Sequence, residues 1–273
     1  MKTLYVSDLD STLLRSDATL SDFTINTINN LCENGLMFSF ATARSAKTAT
    51  AVTKGLKGDT PIIVYTGTFI ADRNTTDIIL SNSMTDAEVQ AVCSAVEKFG
   101  VVPIVYSLVD GVERFMYDPE IVSSNVSEFL TTREGDSRSM SVSGGFEATL
   151  KGDIFYFTFM EPREILEPVY EFLKGRCNCL FQPDNYTDNW FLEVMPKAAT
   201  KANGALKLKE MVGADRLVAF GDGYNDIELF KAADECYAVA NAEDELKAMA
   251  TKVIGSCDDD GVAHWLLENY KCE

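Results

Sequence analysis

The chain has 273 residues, 46% of them hydrophobic, and a net charge of -18 from 24 basic and 42 acidic side chains. That length and apolar content build one large domain or two ordinary ones, and they exclude a disordered chain. The negative field argues against nucleic acid and anionic membrane surfaces as partners, and any phosphate site has to be made positive locally.

The longest apolar strand pattern, Ile154 to Met160, is too short to span a bilayer. The amino terminus enters Leu4-Tyr5-Val6 with no basic segment leading into an apolar signal core. The expectation is therefore a soluble cytoplasmic protein, monomeric or a small homo-oligomer. Seven cysteines form no repeated ligand pair, and His264 is the only histidine. A zinc ribbon and any chemistry that needs two histidines are thereby set aside.

In chain order, Leu4 to Val6 reads as a buried strand. Ser21 to Asn34 reads as a helix with Ile25, Ile28, Leu31 and Cys32 on one face and Gly35 beyond its end. An apolar run from Met37 to Ala41, a helix after Ser45 and a run from Ile62 to Tyr65 complete a β-α-β-α-β order, which argues for a parallel sheet with helices on both sides.

From about Met84 the pattern changes. Thr85-Asp86-Ala87-Glu88 is a capping box that opens a helix, and Val101 to Leu108 and Val112 to Tyr117 flank the hairpin signal Asp110-Gly111. Asp118-Pro119 predicts another helix start, Gly144-Gly145 a flexible connection, Ile154 to Met160 a strong strand, and a further helix ends near Gly175. Adjacent strands and a hairpin predict an inserted α+β domain with an antiparallel sheet.

After about Trp190 the alternation returns. Strands are predicted at Trp190 to Met195, Leu217 to Gly221 and Tyr237 to Ala240. Helices are predicted at Lys201 to Met211, Asp226 to Ala232, Glu243 to Ala250 and Val262 to Tyr270. The expected architecture is an α/β domain with a Rossmann-like parallel sheet, made from residues 1–83 and 190–273 and interrupted by an α+β cap domain at 84–189.

Chemistry concentrates where strands end. Asp8 and Asp10 follow the first strand, one residue apart, and alternate residues of a strand end reach the same small volume. At an effective dielectric near 20, two unit charges about 4 Å apart repel by roughly 4 kcal/mol. A divalent cation, a lysine or a shared proton has to offset that. Thr42-Ala43-Arg44-Ser45 places a hydroxyl and a cation before a helix, and Gly221-Asp222-Gly223-Tyr224-Asn225-Asp226 puts a second acid at a strand end. Ligands of open α/β sheets bind outside the carboxyl ends of the strands, so Asp8 and Asp222 belong to one rim and offer hard oxygens to Mg²⁺. Lys201 begins a helix and can reach back as a point charge for a phosphoryl group, with Lys197 as the alternative.

Together Asp8-Leu9-Asp10-Ser11-Thr12, Thr42, Lys201 and Gly221 to Asp226 resemble the four signature motifs of the haloacid dehalogenase-like hydrolase superfamily. The position and size of the insertion resemble the cap of its Cof-type sugar-phosphatase branch. Val239-Ala240-Asn241-Ala242 and Asp260-Gly261-Val262-Ala263 extend the similarity to the carboxyl terminus. Ser11 stands where that branch usually has glycine, and Thr66-Gly67 where it typically has Asn-Gly.

The resemblance implies a phosphatase acting on a small phosphorylated metabolite, most plausibly a sugar phosphate, through an aspartyl-phosphate. Asp8 would be the nucleophile and Asp10 the acid and base. Mg²⁺ would be held by the Asp8 side chain, the Asp10 backbone carbonyl and Asp222. Thr42, Ala43, Lys201 and Asn225 would contact the phosphoryl oxygens, with Asp226 and Arg44 in support. The cap is expected to choose the leaving group. The rival expectations are a phosphomutase of the same chemistry and a non-enzymatic switch that is phosphorylated on Asp8.

Overall fold

The computed structural model describes residues 1–184 and 187–271. It divides into two units: Met1–Ser81 with Ala199–Glu273, and Asn82–Ala198. No helix among the described residues is long and apolar enough to cross a membrane.

The first unit opens with β1 (Thr3–Ser7), α1 (Asp22–Glu33), β2 (Met37–Phe40), α2 (Ala46–Val52), β3 (Ile62–Val64), β4 (Phe69–Ala71) and β5 (Ile78–Ser81). The inserted unit holds α3 (Asp86–Phe99), β6 (Ile104–Val109), β7 (Val112–Tyr117), α4 (Ser124–Thr131), β8 (Ser139–Ser141), β9 (Asp153–Glu161), α5 (Arg163–Leu173), β10 (Asn178–Pro183) and β11 (Trp190–Met195). The first unit resumes with α6 (Lys201–Met211), β12 (Arg216–Gly221), α7 (Ile227–Ala232), β13 (Glu235–Ala238), α8 (Asp244–Met249), β14 (Lys252–Val253) and α9 (Gly261–Asn269).

The main sheet of the first unit is parallel throughout, in the order β14-β13-β12-β1-β2. Central parallel strands are covered on both faces, and accordingly Leu4, Val6, Phe40, Ala219 and Phe220 are fully buried. Local chemistry starts and stops the helices around it. The Ser21 hydroxyl caps α1 by accepting the Thr24 N–H at 2.9 Å, and Gly35 follows the helix with φ +94°.

Ile62–Val64 runs parallel to the end of β2 across the crossover helix α2, as the β-α-β-α-β pattern predicts, but the contact is an isolated bridge and not a ladder. It pairs antiparallel with β4, which pairs antiparallel with β5, and it touches the parallel sheet through a bridge between Ala41 and Ile63. Tyr65, Thr66 and Gly67 all take positive φ (48°, 54° and 92°) and reverse the chain at once, so β4 returns antiparallel against β3.

The inserted unit has a six-stranded sheet in the order β10-β11-β9-β6-β7-β8. It is antiparallel except between β7 and β8. The capping box of Thr85 and Glu88 opens α3 as predicted, and Asp110 (φ 52°) with Gly111 (φ 76°) makes the two-residue turn between β6 and β7.

Three expectations for this region change. Trp190–Met195, assigned to the first unit, pairs antiparallel with both β9 and β10. Its alternate residues Leu192 and Val194 are fully buried in the inserted unit's own core, so that unit runs to Ala198. The helix after Asp118-Pro119 begins only at Ser124, because the Asp118 carboxylate instead accepts the amides of Glu120 (3.0 Å), Gly144 (3.0 Å) and Gly145 (2.7 Å). Those last two bonds also tie down Gly144-Gly145, which reads as flexible in the sequence.

Candidate active site

Strand register brings the candidate residues to one edge. Ser7 lies level with Phe220 on one side and Phe40 on the other. The Asp8 N–H donates to the Phe220 carbonyl at 2.9 Å, and the Ala41 N–H to the Ser7 carbonyl at 2.9 Å. Asp8, Thr42 and Asp222 therefore leave three adjacent parallel strands at their carboxyl ends, where sheets of this kind form their crevice.

Lys201 is the first residue of α6, whose cap Thr200 accepts the Asn203 N–H at 3.0 Å. Only 2% exposed, it places its Nζ 2.7 Å from Asp8 Oδ1 and 2.7 Å from Asp226 Oδ1. The other Asp226 oxygen accepts the amides of Asp222 (3.1 Å) and Gly223 (3.2 Å). A Cβ at residue 221 would stand 2.6 Å from that same oxygen, so the glycine lets the carboxylate lie against the strand end. Asp222 accepts the Thr12 hydroxyl at 2.9 Å.

The electrostatics follow from crowding. Burial pushes the Asp8 carboxyl well above the ordinary carboxylate range; the Lys201 charge opposes this and Asp226 adds to it. Burial raises Asp222 as well, against the Thr12 hydrogen bond. Burial also works against the charge on Lys201, but Asp226 and Asp8 outweigh it and hold the ammonium above its ordinary range.

Asp8, Asp222 and Asp226 each offer a carboxylate oxygen, all within 4.8 Å of one another. Three carboxylates against one ammonium leave surplus negative charge, and the donors are hard oxygens; both properties fit a divalent cation. Asp226 is already saturated by Lys201 and two backbone amides, so Asp8 and Asp222 are the better ligands of the three.

The Asp10 carboxylate stands outside this cluster. It is about half exposed and gripped by Arg44, with Nε at 2.9 and 3.2 Å and an NH2 nitrogen at 2.6 Å. Arg44 in turn donates its backbone N–H to the Thr42 hydroxyl at 3.1 Å. Thr42 is buried, Ala43 is half-buried, and Asn225 is exposed beside Asp226. Lys197 gives its ammonium to the Gly175 carbonyl (3.0 Å) within the inserted unit, so Lys201 is the lysine that meets Asp8.

Thr12, Asn241 and Asp260 belong to motifs of the family resemblance, but the sequence assigns them no partners; Thr12 holds Asp222. Asn241 donates to the Ser11 carbonyl at 2.8 Å and accepts the Cys257 N–H at 2.9 Å, bracing the loop that follows Asp8. Asp260 accepts Arg15 (2.7 and 3.3 Å), the Ser21 hydroxyl (2.8 Å) and the Thr24 hydroxyl (3.1 Å). A small polar residue following an apolar strand is the available clue for Asn241; nothing local marks the partners of Asp260.

The fold is that of an α/β protein with an inserted unit, and the chain belongs to the haloacid dehalogenase-like hydrolase family, whose profile matches residues 5–266. It is a Cof-type member and a phosphatase. Among its relatives is the 5-amino-6-(5-phospho-D-ribitylamino)uracil phosphatase YitU of Bacillus subtilis, 24% identical over 273 residues that cover 98% of this chain and 97% of the relative. The pyridoxal phosphate phosphatase YbhA of Escherichia coli is also 24% identical, with 96% of each chain covered. A haloacid dehalogenase-like hydrolase from Bacteroides thetaiotaomicron shares the fold with a TM-score of 0.76 at 21% identity, over 99% of this chain and 100% of that one.

Proposed function

We propose that this chain is a Mg²⁺-dependent phosphomonoesterase that hydrolyses a small phosphorylated metabolite, a sugar phosphate in the first place, through an aspartyl-phosphate on Asp8. The observation that carries the reading is Lys201, buried between Asp8 and Asp226 at 2.7 Å from each, with Asp8 directly following the central parallel strand β1. Surplus acid around the one lysine supports the cation.

Asp8 attacks phosphorus with a carboxylate oxygen, and the bond to the leaving oxygen breaks. Asp10 gives that oxygen its proton. In the second half, Asp10 takes a proton from water as the water oxygen attacks the aspartyl-phosphate, releasing phosphate and restoring Asp8. Both Asp10 oxygens accept from Arg44 in the structure, so Arg44 would release one of them for Asp10 to carry the proton. Lys201, Thr42, Asn225 and the Ala43 backbone hold the phosphoryl oxygens, and Asp226 orients Lys201. Asp8, the Asp10 carbonyl and Asp222 would hold Mg²⁺, which would supply positive charge where an anionic nucleophile meets an anionic phosphate.

The test is phosphate release from a panel of sugar and nucleotide monophosphates with Mg²⁺ and with excess chelator. Pyridoxal phosphate and 5-amino-6-(5-phospho-D-ribitylamino)uracil belong in the panel because relatives carry those names. Turnover on a panel member that disappears with chelator is the expected result. Full activity in chelator removes the cation from the reading. Isomerised substrate without free phosphate turns it into a mutase, and a lasting aspartyl-phosphate without turnover into a switch.

A further inference from the structure

The sheet of the inserted unit has two unequally filled faces. One carries α3 and α5 over a core that includes Val105, Phe157, Phe159, Leu192 and Val194. On the other, Val126 of α4 packs on Ile104, Phe115 and Met160, and these four are the buried core of that face. α4 has 8 residues, which makes it about 12 Å long, whereas six strands span roughly 24 Å, so much of this face lies beyond the helix. At the margin of α4 a cavity of about 720 Å³ opens over Met160 and Phe191. Small-molecule sites occupy about 300–1,000 Å³, and the described residues that line this one all belong to the inserted unit.

The lining combines rings with opposite charges. Phe129 and Phe191 are half-buried, with ring centroids 6.1 Å apart and planes at 69°. A third ring entering from solvent can stack on one of them and meet the edge of the other. Arg133 is exposed and holds its guanidinium over the Phe129 ring, 4.8 Å from the centroid. Of the nine arginines it is the one whose side chain donates no hydrogen bond among the described residues. Glu128, exposed on α4, lines the same cavity and forms no ion pair among the described residues, with Arg133 included. Asp184, the remaining charged group of the lining, already accepts the Thr187 hydroxyl at 2.7 Å. A cation and an anion that face one aromatic cavity without pairing leave room for a guest that bears both charges. The net charge of -18 favours the same guest, because it repels a free anion but not a molecule whose charges cancel.

We infer that this cavity is a binding site for a zwitterionic aromatic molecule of the amino-acid type. The ring lies between Phe129 and Phe191, the carboxylate meets Arg133 and the ammonium meets Glu128. The site stands independently of the phosphatase reading and involves none of the residues assigned to that chemistry.

Calorimetric titration of the full chain with tryptophan tests this. Tryptophan is expected to bind, and leucine, a zwitterion without a ring, to give no measurable heat of binding. Tryptamine lacks the carboxylate and indole-3-propionate lacks the ammonium; each is expected to bind about 2–5-fold more weakly, as loss of one exposed ion pair does. Arg133→Met is expected to weaken tryptophan by the same factor and to bind tryptophan and tryptamine equally. Glu128→Gln is expected to do likewise for tryptophan and indole-3-propionate. Phe191→Leu is expected to weaken all three indoles about 3–10-fold. A parent that does not bind tryptophan overturns the inference, and so does tryptophan affinity that is unchanged in all three variants. Equal parent affinity for tryptophan, tryptamine and indole-3-propionate overturns it too, because the two charges then take no part. Release of phosphate from p-nitrophenyl phosphate, followed with the same samples, separates these outcomes from a failure of the phosphatase reading.

Discussion

Two aspartates of the first unit, Asp8, the proposed nucleophile, and Asp260, sit in opposite electrostatic surroundings. Both are largely sequestered, with side chains 8% and 10% exposed, and both meet a cation. Asp8 shares its lysine with Asp226 and faces Asp222, so it lives among competing acceptors and its carboxyl is pushed up by burial. Asp260 lives among donors. Burial alone would raise it, but Arg15, Ser21 and Thr24 outweigh burial and hold it below the ordinary carboxylate range. One location stores repulsion that a ligand can relieve; the other has no such repulsion and serves to join the end of the chain to its beginning.

The largest expected effect breaks the reactive half of this pair. Asp8→Asn is expected to lower phosphate release on the order of 10⁴-fold while the thermal midpoint holds or rises, because it removes a buried repulsion along with the proposed nucleophile. Near-parent turnover in that variant would end the nucleophile assignment. Lys201→Met comes next. Stranding Asp8 and Asp226 without their ammonium is expected to cost roughly 3–5 kcal/mol of unfolding free energy. That deficit should shrink on acidification, as Asp8, already inclined to hold a proton, takes one; urea unfolding at several pH values measures it.

Asp260→Ala probes the structural half and is expected to cost about 2–3 kcal/mol, since Arg15 and two hydroxyls lose their acceptor, with turnover per folded molecule changed only slightly. The sign of its pH dependence is opposite to that of Asp8. A carboxyl lowered from its ordinary 3.8 adds stability that is complete above that value and is lost as pH falls through the lower folded-state value. The parent should therefore lose this increment below about pH 4, and Asp260→Ala should not. An identical acid limb in both proteins would contradict the donor-rich account. The smallest effect concerns Ser11, which holds φ 56° beside Asp10. Ser11→Gly relieves that conformation but adds freedom to the unfolded chain, and the midpoint is expected to rise by an amount equivalent to less than about 1 kcal/mol.

The reactive region is far more legible in the sequence than the structural one. Asp8, Thr42 and Asp222 each follow an apolar run, and Lys201 opens a helix, so short windows reveal them and one sheet topology places the strand ends together. Arg15 and Asp260 lie 245 residues apart, and no local pattern ties them. Arg44 was readable as a supporting residue, but its grip on Asp10 depends on the register between β1 and β2. The same limit explains Trp190–Met195. Its alternation marks a strand with equal force wherever it pairs, and the buried partners of Leu192 and Val194 decide the question. The reversal after Val64 was hidden because its first two residues, Tyr65 and Thr66, do not favour positive φ.

The contact of Gly67 with Thr200 bears on how such a chain diversifies. The insertion ends at Ala198, and the carbonyl two residues on is seated against a glycine that no larger residue can replace without a clash. The seat belongs wholly to the first unit. Whatever stretch of chain occupies the intervening positions, its return is registered at Thr200, and the lysine that follows starts its helix from the same anchor. The insertion can change by mutation or exchange while the Lys201 ammonium keeps the same anchor.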